Sequence, residues 1–89
     1  MRLTIIPSDN AVYVDSVFKG PLNLSQFNIP SNVHALQWYD TKGWLEFNDS
    51  PDPFTPKPPN EIISELSQWA LDCYQAWVSA PFPSPVPIV

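Results

Sequence analysis

The stretch that decides the fold is VHALQWYDTKGWLEF, residues 33–47. Two apolar runs flank Asp40-Thr41-Lys42-Gly43, a turn-forming cluster, so the segment reads as a β-hairpin. With those four residues as the loop and Gly43 supplying a positive φ near its end, Tyr39 faces Trp44, Trp38 faces Leu45, and Leu36 faces Phe47. Side chains alternate between the faces of a strand. Leu36, Trp38, Leu45 and Phe47 therefore share one face, and Gln37, Tyr39, Trp44 and Glu46 share the other. His34 falls on the face of Leu36 and Trp38. The aromatic cluster is split, with Trp38 in the core and Tyr39 beside Trp44 on the wetter side.

Working outward, RLTIIPSDNAVYVD (residues 2–15) is a second hairpin. Pro7-Ser8-Asp9-Asn10 is its loop, because proline presets φ and Asp and Asn bond their own backbone. Ile6 then faces Ala11, Ile5 faces Val12 and Leu3 faces Val14. Arg2 falls opposite Asp15 as a favourable cross-strand charge pair. Residues 16–32 form an irregular connector, interrupted by Gly20-Pro21 and Pro30. Leu22, Leu24, Phe27 and Ile29 are its apolar plugs.

Residues 48–60, NDSPDPFTPKPPN, are dense in proline. Each proline fixes φ and removes an amide donor, so no strand or helix crosses them. Further on, Leu66, Trp69, Ala70, Cys73, Ala76, Trp77 and Ala80 keep the spacing of an amphipathic helix. Asn60 and Ser67 both qualify as its N-cap. The shorter helix, Ser67 to Ser79, is preferred, leaving EIISEL extended. Pro81 ends it.

The expected architecture is α+β: two antiparallel β-hairpins in one small sheet, with a C-terminal helix packed on one face. Residues 1–79 make a single small domain, and residues 80–89 a proline-rich extended arm. The expected core is Leu3, Ile5, Val12, Val14, Leu36, Trp38, Leu45, Phe47, Trp69, Cys73 and Trp77.

Composition narrows the function. The chain has 89 residues, a net charge of −5 and four basic side chains. Those four, Arg2, Lys19, Lys42 and Lys57, are scattered, which argues against a nucleic-acid partner held by its phosphates. No basic segment followed by an apolar run marks a signal peptide. No apolar run reaches the roughly 20 residues that span a bilayer, so no membrane is expected. With one cysteine, no internal disulfide forms.

Catalytic and cofactor chemistry finds little to work with. A nucleophile needs an adjacent base, and the single histidine, His34, reads as structural. Cys73 lies on the helix's apolar stripe and reads as a small buried hydrophobe. One His and one Cys cannot close a zinc site. Asp49 and Asp52 fall short of a calcium loop, and neither of the two glycines opens a phosphate-binding helix. The chain reads as a non-enzyme without metal or cofactor.

What remains is binding. Tyr39 and Trp44 qualify as an exposed interface anchor, because Tyr and Trp are enriched in hot spots. The competing reading covers them with a second core layer. In the arm, prolines alternate with apolar residues, and pre-extended segments of this kind lose little entropy on docking. Phe82, Pro83, Pro85, Val86, Pro87 and Ile88 are its candidate contact residues.

Three blocks carry a resemblance: TIIPSDNAVYVD, IPSNVHALQWYDTKGWLEF and PPNEIISELSQWALDCYQAW. Together, in this order, they resemble small proteins encoded in the tail and tail-fibre gene region of tailed bacteriophages, over roughly residues 1–79. The terminal APFPSPVPIV lies outside the resemblance. Members of that group are mostly without assigned function, and the resemblance brings no catalytic residues. It implies a structural protein of the virion, in the tail, baseplate or fibre attachment, made in the host cytoplasm and docked onto other phage structural proteins. Multiple copies in a symmetric assembly are expected. The alternatives are an assembly factor absent from the mature particle, a capsid cement protein, or a small acidic inhibitor of a host protein.

Overall fold

The computed structural model describes residues 1–82. Six strands form one antiparallel sheet: β1 (Arg2–Ile6), β2 (Ala11–Val14), β3 (Val17–Phe18), β4 (Val33–Tyr39), β5 (Lys42–Phe47) and β6 (Glu61–Ile63). They lie in the order β3-β2-β1-β4-β5-β6. One helix, α1 (Gln68–Ser79), follows. The fold is α+β, as the patterning implies, but the sheet has two strands more than two hairpins supply.

The first hairpin pairs as its turn chemistry dictates, with Leu3 opposite Val14, Ile5 opposite Val12 and Ile6 opposite Ala11. Pro7–Asp9 make a 3-10 turn, and Asn10 closes it in the left-handed region at φ 49°. Arg2 and Asp15 do meet, but not as a charge pair. The Asp15 carboxylate accepts the Arg2 backbone N–H at 2.8 Å, while the guanidinium lies over the Tyr39 ring, 5.0 Å from its centre.

The second hairpin is shifted from its expected register. Its loop is two residues, Asp40 and Thr41, so Tyr39 faces Lys42, Trp38 faces Gly43, Gln37 faces Trp44 and Leu36 faces Leu45. The positive φ belongs to Asp40 at 55°, not to Gly43. Asp tolerates that region, which frees Gly43 to sit inside the ladder. There a Cβ would stand 2.1 Å from the Gln37 carbonyl oxygen. The slip is by two residues, and faces repeat every two. The division into a core face and an open face therefore survives. His34 is the exception: a bulge between Val33 and Ala35 re-aims the strand, and His34 is exposed while Val33 and Ala35 are buried.

The connector is partly ordered. Asp15 and Ser16, at φ 49° and 69°, turn the chain as a type I′ loop does and send β3 back along β2. Leu24 then drops into the core at 2 % exposure, and Leu22, Phe27 and Ile29 pack around it. At the far edge, β6 pairs with β5 through Gly43–Ile63, Trp44–Ile62 and Leu45–Glu61. The extended reading of EIISEL thus becomes an edge strand.

Helix α1 begins after Ser67, whose carbonyl accepts the Ala70 and Leu71 N–H groups, so the shorter helix holds. Its buried residues are Trp69, Ala70 and Cys73. They close over Leu3, Ile5, Val12, Val14, Leu36 and Trp38, whose exposures are 0–6 %. Each large apolar side chain so covered contributes about 1.5–3 kcal/mol. Leu45, Phe47 and Trp77 pack at the margin of this core rather than inside it, and Leu24, Val33 and Ala70 join it.

Pro81 lacks an N–H and biases Ala80 out of helical geometry; Ala80 has ψ 137°. The helix end is held by Lys19. Its ammonium donates to the carbonyls of Trp77 and Ala80, both at 3.0 Å, and stands 4.0 Å from the Trp77 ring centre. The chain stays against the body through Phe82, whose ring centre is 4.7 Å from the same ammonium. The arm expected over 80–89 is therefore in contact at its start, and residues 83–89 lie outside the described residues.

Candidate functional site

Every strand that sends apolar residues to the helix sends its alternate residues to the opposite face of the sheet. On that face Tyr39, Phe18 and Ile62 are exposed, while Ala11 and Ala35 are buried at 3 % and 2 % among their neighbours. Inter-strand pairing lines up one residue from each strand: Phe18 opposite Tyr13, Tyr13 opposite Thr4, Thr4 opposite Gln37, Gln37 opposite Trp44, and Trp44 opposite Ile62. The result is a continuous band across all six strands, aromatic or apolar at both ends and polar in the middle.

The middle is neutral. The Thr4 hydroxyl donates to the Gln37 side-chain oxygen at 2.8 Å. On one flank Tyr13 and Phe18 stack with ring centres 5.2 Å apart. On the other, Tyr39 and Trp44 stack at 5.7 Å with an interplanar angle of 22°. Tyr39 faces Lys42 and Trp44 faces Gln37, so the two rings meet diagonally, within the reach of aromatic side chains in a sheet. The Trp44 indole N–H donates to Glu46 at 2.9 Å, which fixes the ring and satisfies its only polar atom. Arg2 over Tyr39 holds the second ring.

Tyr39 and Trp44 are thus adjacent and braced on one face of the sheet. Tyr39 is 44 % exposed and Ile62 69 % exposed, while Trp44 is half-buried by its neighbours. The band also includes residues that sequence reading did not single out. Phe18 falls in a connector read as irregular, and Ile62 in an extended stretch without an assigned strand partner. A period-two pattern could have placed Tyr13 opposite Thr4, but the remaining neighbours follow only from strand order. Between Tyr13 and Arg2 the face dips into a shallow groove lined also by Thr4 and Ser16.

Of the other candidates, Phe82 is exposed at 68 % beside Lys19, the residue that follows Phe18 at the band's end. Pro83, Pro85, Val86, Pro87 and Ile88 lie outside the described residues.

A larger recess, lined by Pro7, Asn10, Leu24, Phe27 and Val33 among others, opens beside the first turn. Its amides are already committed. Asn10 accepts the Leu24 N–H at 3.3 Å, and Asn48 donates to the Ser31 carbonyl at 3.1 Å.

The cysteine and the histidine differ in exposure. The Cys73 thiol is fully buried, and burial, reinforced by the nearby Asp72 charge, pushes its pKa up to about 11. Such a thiol is a poor nucleophile near neutrality. His34 stands exposed at the bulge, on β4, remote in the sequence from Cys73 on α1. Among the described residues no three His, Cys, Asp or Glu side chains converge on one point, and no helix is long and apolar enough to cross a membrane.

Compared with protein-family models, characterised proteins and solved structures, the chain matches none of them.

Proposed function

We propose that this chain is a non-catalytic structural component of a tailed-bacteriophage particle, and that it docks through the open face of its sheet onto a neighbouring protein of the particle. The observation that carries the docking is the band from Phe18 to Ile62. The band carries an apolar patch at each end, Phe18 with Tyr13 and Trp44 with Ile62, bordered by the polar pair Thr4 and Gln37, and apolar patches bordered by polar groups mark interaction sites. Two aromatic pairs locked by stacking lose little freedom on binding, so their burial is available as affinity. The setting, in the tail, baseplate or fibre attachment, rests on the resemblance of the three blocks. A location in the virion follows from that setting, with synthesis in the host cytoplasm.

The burial of the one thiol removes it as a candidate nucleophile. The proline-rich residues 83–89 are proposed as a second contact. Repetition around a symmetric assembly would multiply individually weak contacts through effective concentration.

Mass spectrometry of purified particles tests the reading. The protein should be present, and the double variant Tyr39→Ala, Trp44→Ala should be depleted at least tenfold while remaining folded. Absence of the wild-type protein from particles, with retention on a tail protein in infected cells, would replace the reading with an assembly factor. Retention on a host enzyme instead would make it an inhibitor. Removing residues 83–89 tests the second contact separately: unchanged incorporation refutes it.

A further inference from the structure

We infer that the partner of the open face is a second copy of this chain, stacked face to face about a two-fold axis that runs parallel to the strands, midway between β1 and β4. This rests on the docking reading above and names the occupant of the same surface.

The argument is one of self-complementarity. A two-fold interface brings residue i against residue j of the partner copy and j against i. The strand order β3-β2-β1-β4-β5-β6 has its midpoint between β1 and β4. An axis there lays β3 over the second copy's β6, β2 over its β5, and β1 over its β4. Within the central band, Phe18 then meets Ile62, Tyr13 meets Trp44, and Thr4 meets Gln37. Apolar ends meet apolar ends, and the neutral polar centre meets itself.

The adjacent row runs Asp15, Arg2, Tyr39, Lys42, from the pairing of Arg2 with Tyr39 and of Tyr39 with Lys42 and the bond from Arg2 to Asp15. Under the same operation Asp15 meets Lys42, an opposite-charge pair, and Arg2 meets Tyr39, repeating across the interface the cation–ring contact it makes within one copy. The third row places Glu46, which is turned toward Trp44, over Ala11, a small residue already buried at 3 % exposure among its neighbours, so no acid faces an acid there. No like charges oppose one another in the three rows. For a chain of net charge −5, which repels its own copies in general, an acid-free central band is what lets two such faces approach.

The size is adequate. Six strands about 4.8 Å apart and three rows about 6.8 Å apart span about 29 × 20 Å, or about 1,200 Å² for both copies, the lower end of stable interfaces. Two sheets stacked this way form an aligned sandwich about 10 Å thick.

Sedimentation velocity across a concentration series reaching about 1 mM tests it, since an interface this small associates weakly. The wild type should pass from monomer to dimer. Lys42→Glu turns both rim pairs repulsive and should weaken association about tenfold. Asp15→Lys should do the same. An equimolar mixture of the two variants should regain wild-type association, because the heterodimer restores both pairs. Asp15 also supports a turn, so Gln37→Lys is a second probe: it sets charges together at the axis and should abolish the dimer in a folded protein.

A wild type that stays monomeric throughout overturns the inference, as does a dimer indifferent to Gln37→Lys. Failure of the mixed variants to recover, with both folded, also overturns it. A monomer whose Trp44→Ala variant is still lost from particles leaves docking intact with a different partner. A Trp44→Ala variant that enters particles normally removes docking itself.

Discussion

Replacing Gly43 with alanine should destabilise the fold by about 3 kcal/mol, the upper end of what overpacking a tight site costs. The added Cβ would lie 2.1 Å from the Gln37 carbonyl oxygen and 2.9 Å from the Trp38 Cα, where ordinary contact begins only at 3.4 Å. Both obstacles are backbone, so no rotamer change relieves them, and β4 and β5 must part at the pairs that carry Trp38 and Trp44. A chain of 89 residues has about 4–13 kcal/mol of stability in all. The loss is therefore a large fraction of it.

Urea unfolding followed by tryptophan fluorescence should show the midpoint falling by about 2–3 M, for a slope of about 1–1.5 kcal/mol/M. Gly20→Ala is the control. Gly20 has φ 94° and nothing within 4 Å of where the alanine methyl would stand, so the substitution there costs only backbone strain, about 1 kcal/mol. If Gly43→Ala costs no more than Gly20→Ala, Gly43 is not inside the ladder. Tyr39 would then face Trp44 across a four-residue loop, and the band from Phe18 to Ile62 would be misdrawn.

Lys19→Met should cost about 1–2 kcal/mol, since it removes two charge-assisted bonds to the end of α1 and the contact with Trp77; thermal melting should fall by about 4–8 °C per kcal/mol. Cys73 should make stability fall as pH rises. The unfolded thiol ionises from its ordinary value of 9.0, while the native one stays protonated up to about 11. The contribution is thus complete below pH 9 and lost progressively above it, by up to about 3 kcal/mol, a slope that Cys73→Ala abolishes in urea titrations. The same burial should keep the native thiol unreactive toward a thiol reagent at pH 8 and expose it in urea. Asp52 accepts the Phe54 N–H and the Thr55 hydroxyl, both at 2.9 Å, and these bonds hold its carboxyl below its ordinary value of 3.8. The turn should therefore persist as pH falls through the usual carboxylate range and open only below it. The Phe54 amide resonance reports this, and Asp52→Ala should free that amide at every pH with no change in global stability.

How far the sequence could be read follows from the physics of each element. The first hairpin was fully legible because Pro7 to Asn10 are chemically committed to turning. The second was legible in its faces but not its register, since glycine is the obvious bearer of a positive φ and Asp40 took it instead. An error of two residues cannot move a side chain through the sheet, so Tyr39 and Trp44 remained on the open side. Strand β3 was hidden because Asp15-Ser16 lacks the glycine that usually announces a two-residue loop. His34 was misplaced because a bulge has no signature in alternation. The candidate surface was visible as one aromatic pair and invisible as a band, because the neighbours of that pair come from strands 26 residues before it and 18 after it, counted from Trp44 to Phe18 and to Ile62. Only the order of strands joins them.

That the covering helix is the last element among the described residues has a consequence for synthesis. Until α1 is made, Leu3, Ile5, Leu36 and Trp38 lack Trp69, Ala70 and Cys73 and have only the connector's Leu24 and its neighbours beside them, and the other side of the nascent sheet carries its own aromatic rings. For most of translation the growing polypeptide is therefore greasy on both surfaces at once. It should be most prone to clumping, and most dependent on holdase chaperones, in the interval just before its final turn of α-helix leaves the ribosome.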